Sequence, residues 1–575
     1  MIAYIFEWRS VALFLVCTAI VTGCSSGPDQ SAGVGTGGTG SFVGKVTLDV
    51  TDAPAIDYAH VYVTVTGVAF HSDPAKGFSN FSTSKKHGWQ VFRLTAPKTI
   101  DLAQLTNGTM YADLKGNSSL FSEMVLPIGS YHQIRLFLAS TEDAYVGSVP
   151  GLVYNNEVQI NNDGTHYPLR IPSSDEGIKV LPEYPVVANS GSNVSLALDF
   201  NLSDDIVKVS PNGSTEYILK SKLGYFDMGS VGSVRGVVSF SNLSTSNIEV
   251  KAEQIKNGTN YRIVRRTTSI DKNTGKFTLY PLPVFGNATT AVYDILMRGR
   301  NVQTALVKGV KIHRGSNQAS STDLGTISLQ AGTEFTVQLG SSMHPTGAWL
   351  NFYQTIAGDT ASYEVRYRHL DPYTGKLGKQ IGLSTGAIHV ASFTPGLPLA
   401  FTTDNTSQGT FSMTADAIDL YNRGAALSGI NGAAGNKLII NTSEANNPKV
   451  NSNATAGIVY CVFDMTLLGT GSGIGMGMGN RNIGNPTKGQ VFVTHGGMII
   501  DSLGDLTGDT TVGSAFRAGG GIGNPVVMAN IPSNVPEAVY GIYVLGWNNS
   551  YLAAGHAVNF ELKKGGIVAT TIKLK

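Results

Sequence analysis

Charge is what this sequence has least of. Asp, Glu, Lys and Arg make up 14% of its 575 residues, where about 25% is usual. That scarcity excludes coiled coils and long solvent-facing helices, whose exposed faces need Glu, Lys and Arg. The 41 basic and 40 acidic residues leave a net charge of +1. Without a basic excess, nucleic acid is not an expected partner. Cysteine is rarer still: Cys17, Cys24 and Cys461 are all there are. The eleven histidines never fall within five residues of one another, so H-x-x-x-H zinc spacing is absent and no Cys pair supplies thiolates. Glycine, in contrast, is abundant at 68 residues, which favours turns over helices.

The chain opens on Arg9, offset by Glu7, and an apolar run from Val11 to Val21. Eleven such residues suit a secretory signal core and fall short of a bilayer span of about 20. The run closes on Val21-Thr22-Gly23-Cys24, which resembles the bacterial lipobox: a branched residue, two small ones, then Cys. That resemblance implies cleavage after Gly23 and acylation of the Cys24 thiol. With Ser25 following rather than Asp, it also implies sorting to an outer membrane. One acyl chain binds a bilayer only marginally and several anchor it, so the lipid bilayer is the first expected partner. Residues 25–41 are rich in Gly, Ser and Thr and read as a flexible tether. Cys461, in Ile458-Val459-Tyr460-Cys461-Val462-Phe463, reads as an inert strand thiol.

Beyond residue 42 the pattern is period two. Val46–Thr51, Val61–Thr66, Ile134–Leu136, Leu196–Phe200, Tyr363–Tyr367 and Val558–Leu562 alternate apolar and polar residues, as strands do with one face buried and one wet. Asn, Asp, Gly and Pro punctuate them. Only Thr99–Leu105, closed by Asn107-Gly108, and Met413–Arg423 suggest helical turns. The expected fold class is all-β, a tandem array of antiparallel β-sandwiches.

Residues 42–226 carry Leu48-Asp49-Val50-Thr51-Asp52-Ala53-Pro54, His60–Val65, Trp89-Gln90-Val91-Phe92, Ile100-Asp101-Leu102, Leu126–Arg135, Leu169–Ser173, Gly177-Ile178-Lys179 and Leu198-Asp199-Phe200. In that order they resemble the prokaryotic domain of unknown function 4382, which implies a β-sandwich in an envelope lipoprotein and assigns no chemistry. Farther on, Val234–Val238, Ile248–Ala252, Asp271–Leu279 and Leu282-Pro283 resemble a carboxypeptidase-regulatory or transthyretin-like sandwich. Its Asp271 and Gly275 are explained by a turn. The C-terminus repeats this module. Tyr293 precedes Gly299 as Tyr540 precedes Gly546, and Thr326-Ile327-Ser328-Leu329 has its counterpart in Thr571-Ile572-Lys573-Leu574. Asp371–Leu377 echoes the turn between them. The expected segments are a signal peptide (1–23), the acylated Cys and linker (24–41), and sandwiches over 42–228, 229–331, 332–450 and 451–575.

Carboxylates are the remaining chemical candidates. Asp49, Asp52 and Asp57 lie near one strand and Asp199, Asp204 and Asp205 near another; brought together, such oxygens could hold Ca2+. The plainer reading gives Asp52 an Asx turn before Pro54 and leaves Asp204 and Asp205 solvated. Asp501–Asp509 misses EF-hand spacing and reads as a turn. The glycine tract Gly469–Gly479 lacks the phosphate-loop pattern; its Ile474, Met476 and Met478 suit contact with a partner better than a nucleotide. No catalytic residue, cofactor or metal is expected, and Cys24 is the one modification site. The expectation is a non-enzymatic envelope lipoprotein contacting a glycan or another envelope protein, with Trp89, Trp349 and Trp547 as core residues or stacking platforms. The alternative is a carboxylate-based hydrolase whose acid pair assembles only in the fold.

Overall fold

The computed structural model describes residues 43–53, 58–78, 87–160, 165–172, 174–209, 215–219, 223–256, 262–335, 338–341, 348–370, 383–385, 387–406, 411–417, 424–430, 437–440, 456–464, 488–495, 498–505, 526–532, 539–547, 552–561 and 567–573. Cys24, Asp57, the 371–377 turn and the 469–479 glycine tract lie outside these. What is described is a series of β-sandwiches, as the alternation predicts.

The first sandwich packs a four-stranded sheet on a larger one. Strand Val43–Ala53 lies in the small sheet, parallel to Asn193–Asn201 and antiparallel to Phe121–Pro127. Tyr58–His71 is the spine of the large sheet, pairing with Gln90–Asp101, Gln133–Leu138 and Glu157–Ile160. The inward residues Val46, Leu48, Val50, Leu196, Leu198 and Phe200 meet Val61, Val63, Val65, Ile134 and Leu136, all fully buried. Each such side chain contributes about 1.5–3 kcal/mol by leaving water.

Seven strands from Val231 to Ser328 build the second sandwich. The fourth, first and seventh (Lys276–Pro283, Val231–Ser239, Thr322–Ser328) form one sheet in that order. The third, second, fifth and sixth (Arg262–Ser269, Glu249–Ile255, Thr290–Gly299, Val302–His313) form the other. The entry to the fourth strand is the turn expected from its sequence: Asp271 Oδ1 accepts the amides of Asn273 (2.9 Å) and Thr274 (2.8 Å). Gly275 closes it at φ +71°, where a Cβ would meet the Val238 carbonyl at 2.0 Å.

The C-terminal strands repeat this order. Val526–Pro532, Ala456–Asp464 and Ile567–Lys573 form one sheet as fourth, first and seventh. Met498–Asp505, Lys488–His495, Val539–Trp547 and Leu552–Glu561 form the other as third, second, fifth and sixth. In both modules the first and seventh strands run parallel. The sixth carries an extra residue opposite Tyr293–Ile295 and, equivalently, opposite Tyr540–Ile542. Between the two, Ala348–Gln354, Tyr363–Leu370, Phe411–Ala417 and Gly424–Ile430 make the same four-stranded sheet, and Gln338–Ser341 runs parallel to Lys437–Ile440. One hairpin departs from the pattern: Ile388–Ser392 adds to strand Val302–His313 and pairs with Thr402–Asp404, so segments 229–331 and 332–450 share a sheet.

Two local expectations need correcting, and a third, a turn in Thr99–Leu105, is met. Phe411–Ala417 is a strand, because pairing on both edges outweighs any helical tendency; residues 418–423 of the expected segment lie outside the described residues. Of the turn expected over Asp501–Asp509, Asp501–Asp505 instead ends the strand Met498–Asp505, and residues 506–509 lie outside the described residues. In Thr99–Leu105 only Leu102–Gln104 is helical, a single 3-10 turn capped by Asp101.

Candidate functional site

The polar face of the large first sheet carries an ordered side-chain arrangement outside the cores. Alternation puts His60 and Tyr62 on one face of their strand, and the register sets His60 opposite Gln159 and Tyr62 between Asp101 and Glu157. The next strand places His166 opposite Gln159. His60 Nδ1–H donates to Asp101 Oδ2 at 2.7 Å, and His166 Nδ1–H donates to Glu157 Oε1 at 2.7 Å.

The two carboxylates are held alike. Asp101 Oδ1 accepts the amides of Val61 and Ala103, and its Oδ2 also accepts Gln104 Nε2. Glu157 Oε2 accepts the amides of Val153 and Tyr154, and its Oε1 also accepts Gln159 Nε2. Each carboxylate therefore takes four donors. Because a carboxylate only accepts, each neutral imidazole must carry its proton on Nδ1 and keep its lone pair on Nε2. The His60 and His166 side chains are 40% and 36% exposed. His60 also stacks on Tyr62, ring centroids 5.5 Å apart. The Tyr62 hydroxyl is pushed above its usual range by burial and by the Asp101 and Glu157 charges. The site thus offers two fixed imidazoles, an aromatic ring and two amide side chains on a half-exposed sheet.

The carboxylates singled out from sequence come together in part, and around an arginine. Arg266, from the second sandwich, reaches into the first: its guanidinium pairs with Asp199 and donates to Thr51 Oγ1 (2.8 Å) and the Asp52 carbonyl (2.9 Å). Asp52 Oδ1 caps the Leu202 amide at 3.2 Å, while its buried Oδ2 has no partner. Asp205 is buried beside them and accepts the Asn201 amide. Burial and the neighbouring Asp199 charge hold Asp52 far above the usual carboxylate range, and burial raises Asp199 against the pull of Arg266. Asp49 stands apart, binding the Val50 and Ala112 amides, and burial pushes it up to about 6. Asp204 belongs to the short helical turn Leu202–Asp205. The cation among these oxygens is the guanidinium, and among the described residues no group of three or more His, Cys, Asp and Glu side chains could hold a metal.

Two further networks tie the sandwiches together. Lys251 pairs with Glu364 (2.8 Å) and Arg262 with Asp294 (2.6 Å), while Tyr363 Oη lies 2.9 Å from Asp294 and 2.7 Å from Asp359. Fully buried beside them, Glu253 is pushed up to about 8 by desolvation. Tyr543, from the C-terminal module, donates to Glu142 of the first sandwich at 2.9 Å, next to the Arg170–Glu216 pair. Trp89 is a core residue, packed on His71 and Phe78. Strands contain Trp349, Trp547 and Cys461.

Sequence alone shows neither anchored histidine. Asp101 lies 41 positions from His60 and Glu157 nine from His166, and only the period-two phase of His60 and Tyr62 hints at a shared face. Residues 43–221 match the family described as domain of unknown function (DUF4382), under a third of the chain. No curated protein matches the sequence. The solved structure of the Bacillus anthracis TIE protein aligns over 94% of this chain and 76% of that chain at 10% identity. Its TM-score of 0.14 is too low to carry an argument.

Proposed function

We propose that this protein is a lipid-anchored, non-catalytic envelope protein that holds a glycan on the polar face built by His60, Tyr62, Gln159 and His166. The carrying observation is that Asp101 and Glu157 are each saturated by four donors. Carboxylates so engaged fix the imidazoles and are poorly placed to trade protons with a substrate. Fixed imidazole, amide and aromatic groups suit hydroxyl-rich ligands. The same engagement weighs against the carboxylate hydrolase, which needs two carboxyl groups facing each other across a cleft.

The lipobox-like Val21–Cys24 supports acylation at Cys24 and an outer-membrane location, and the shared strand order supports reading the later modules as transthyretin-like repeats. Isolated envelope polysaccharide should retain the protein in a pull-down, and the double substitution His60→Ala, His166→Ala should abolish retention. Undiminished retention by that variant, or capture only by envelope proteins, would reject the glycan reading. Separately, Cys24→Ala should move the protein from the membrane fraction to the soluble one.

A further inference from the structure

Three of the large apolar side chains left exposed gather where the chain enters the folded body. Val125, Ile128 and Val187 are 45%, 46% and 44% exposed. Val43, the first described residue, pairs with Pro127, which Val125 and Ile128 flank; Lys45, exposed, pairs with Val125. On its other side Val43 accepts the Gly191 amide at 3.1 Å, and Lys45 donates to the Ser192 carbonyl at 2.8 Å. That segment follows strand Val186–Ala188, in which Val187 and Ala188 pair with Ser130 and Gly129, next to Ile128. A Cβ on Gly44 would lie 3.2 Å from that of Ala188, which shows how closely the three segments meet.

We propose that this patch is the face the body lays against the lipid surface, with Val125, Ile128 and Val187 entering the headgroup–acyl boundary and Lys45 reaching the lipid phosphates. The proposal rests on acylation of Cys24. Val43 lies nineteen positions after Cys24, a length whose Gly/Ser-rich composition gives an r.m.s. reach of roughly 24 Å. The anchor therefore holds Val43, and whatever surrounds it, close to the bilayer. Three half-exposed side chains bind a membrane weakly by themselves. A tether supplies a high effective concentration of lipid, so weak contact is enough. Lysine beside apolar residues suits this boundary, its stem in the apolar layer and its ammonium in the headgroups.

The test uses the full acylated chain with Cys461→Ala, whose Cys24 has no free thiol once acylated. An environment-sensitive dye is placed at Ile128→Cys, at Val187→Cys, or at Leu397→Cys, the most exposed large apolar position among the described residues. The protein is reconstituted on phosphatidylethanolamine/phosphatidylglycerol vesicles with or without lipids quenching in the upper acyl chain. The dyes at 128 and 187 should lose roughly half or more of their emission to the quencher lipids, as expected for side chains at the acyl boundary, while that at 397 is unchanged. Vesicle flotation with no quenching at 128 or 187 overturns this inference and leaves the anchor standing. A blue shift at 128 that grows with protein concentration but ignores the quencher assigns the patch to a second copy, and equally overturns it. Failure to float removes the anchor reading, and this one with it.

Discussion

Two sets of carboxylates in the first sandwich meet opposite fates. On the outer sheet face Asp101 and Glu157 each collect four donors, two of them backbone amides of their own domain. At the seam with the second sandwich, Asp52 and Asp199 share one arginine, with Asp205 buried beside them, and Asp52 Oδ2 finds nothing. Depth does not separate them, for Glu157 is as buried as Asp52. The difference is the source of the donors. Local amides come with the fold, whereas the guanidinium arrives from a residue over two hundred positions away and serves several acceptors at once. The outer face is therefore built to stay fixed, and the seam depends on one side chain.

The sharpest break of that comparison is Arg266→Met. Leaving buried carboxylates uncompensated should cost about 3–5 kcal/mol, read by urea denaturation; a loss as small as that of an exposed ion pair would show the seam to be no weaker than the face. Glu253 extends the contrast to the second seam. Its pKa in the folded protein, about 8, lies above the ordinary 4.5, so folded chains keep a proton that unfolded chains release. Stability should accordingly fall as pH rises from about 4.5 to about 8 and level off beyond. Glu253→Gln should flatten that slope and raise stability at pH 9 by a few kcal/mol; parallel pH profiles for the two proteins would refute the assignment.

A smaller effect is expected on the face. Glu157→Gln turns an amide toward donors that need an acceptor and should cost about 1–3 kcal/mol, with loss of glycan retention. Smaller still, Asp271→Asn keeps the turn geometry and should cost under about 1 kcal/mol. Chelation should leave the melting temperature unchanged, since Arg266 stands where a cation among Asp52 and Asp199 would sit; a drop in EDTA would revive a calcium site.

What was legible in the sequence was whatever depends on neighbours. Period-two alternation located Val46–Thr51, Val61–Thr66 and Leu196–Phe200, and Asp271 with Gly275 announced their turn. The Tyr293–Gly299 and Tyr540–Gly546 spacing repeats in strands that meet the same irregularity in their sixth-strand partners, and Gly299 has no room for a Cβ, Ile248 Cγ1 lying 2.8 Å from where it would be. The start of Met413–Arg423 misled because its short run fits either period, and pairing on both edges of Phe411–Ala417 decided it. The functional face was illegible for a different reason: a hydrogen bond such as His60–Asp101 is fixed by register across the sheet, which local spacing does not encode. Arg266 gave no sign of its role, because nothing near it in sequence is acidic before Asp271.

The parallel pairing of first and seventh strands has a mechanical consequence. In the second sandwich it runs from Val234 opposite Thr322 to Ser239 opposite Ser328, and in the last from Ile458 opposite Ile567 to Asp464 opposite Lys573. Tension along the polypeptide enters such a module at the start of one strand and leaves at the end of the other, at opposite ends of the ribbon. The rungs between them are then strained together in shear instead of being unzipped one after another, so each module resists stretching with all of its terminal hydrogen bonds at once.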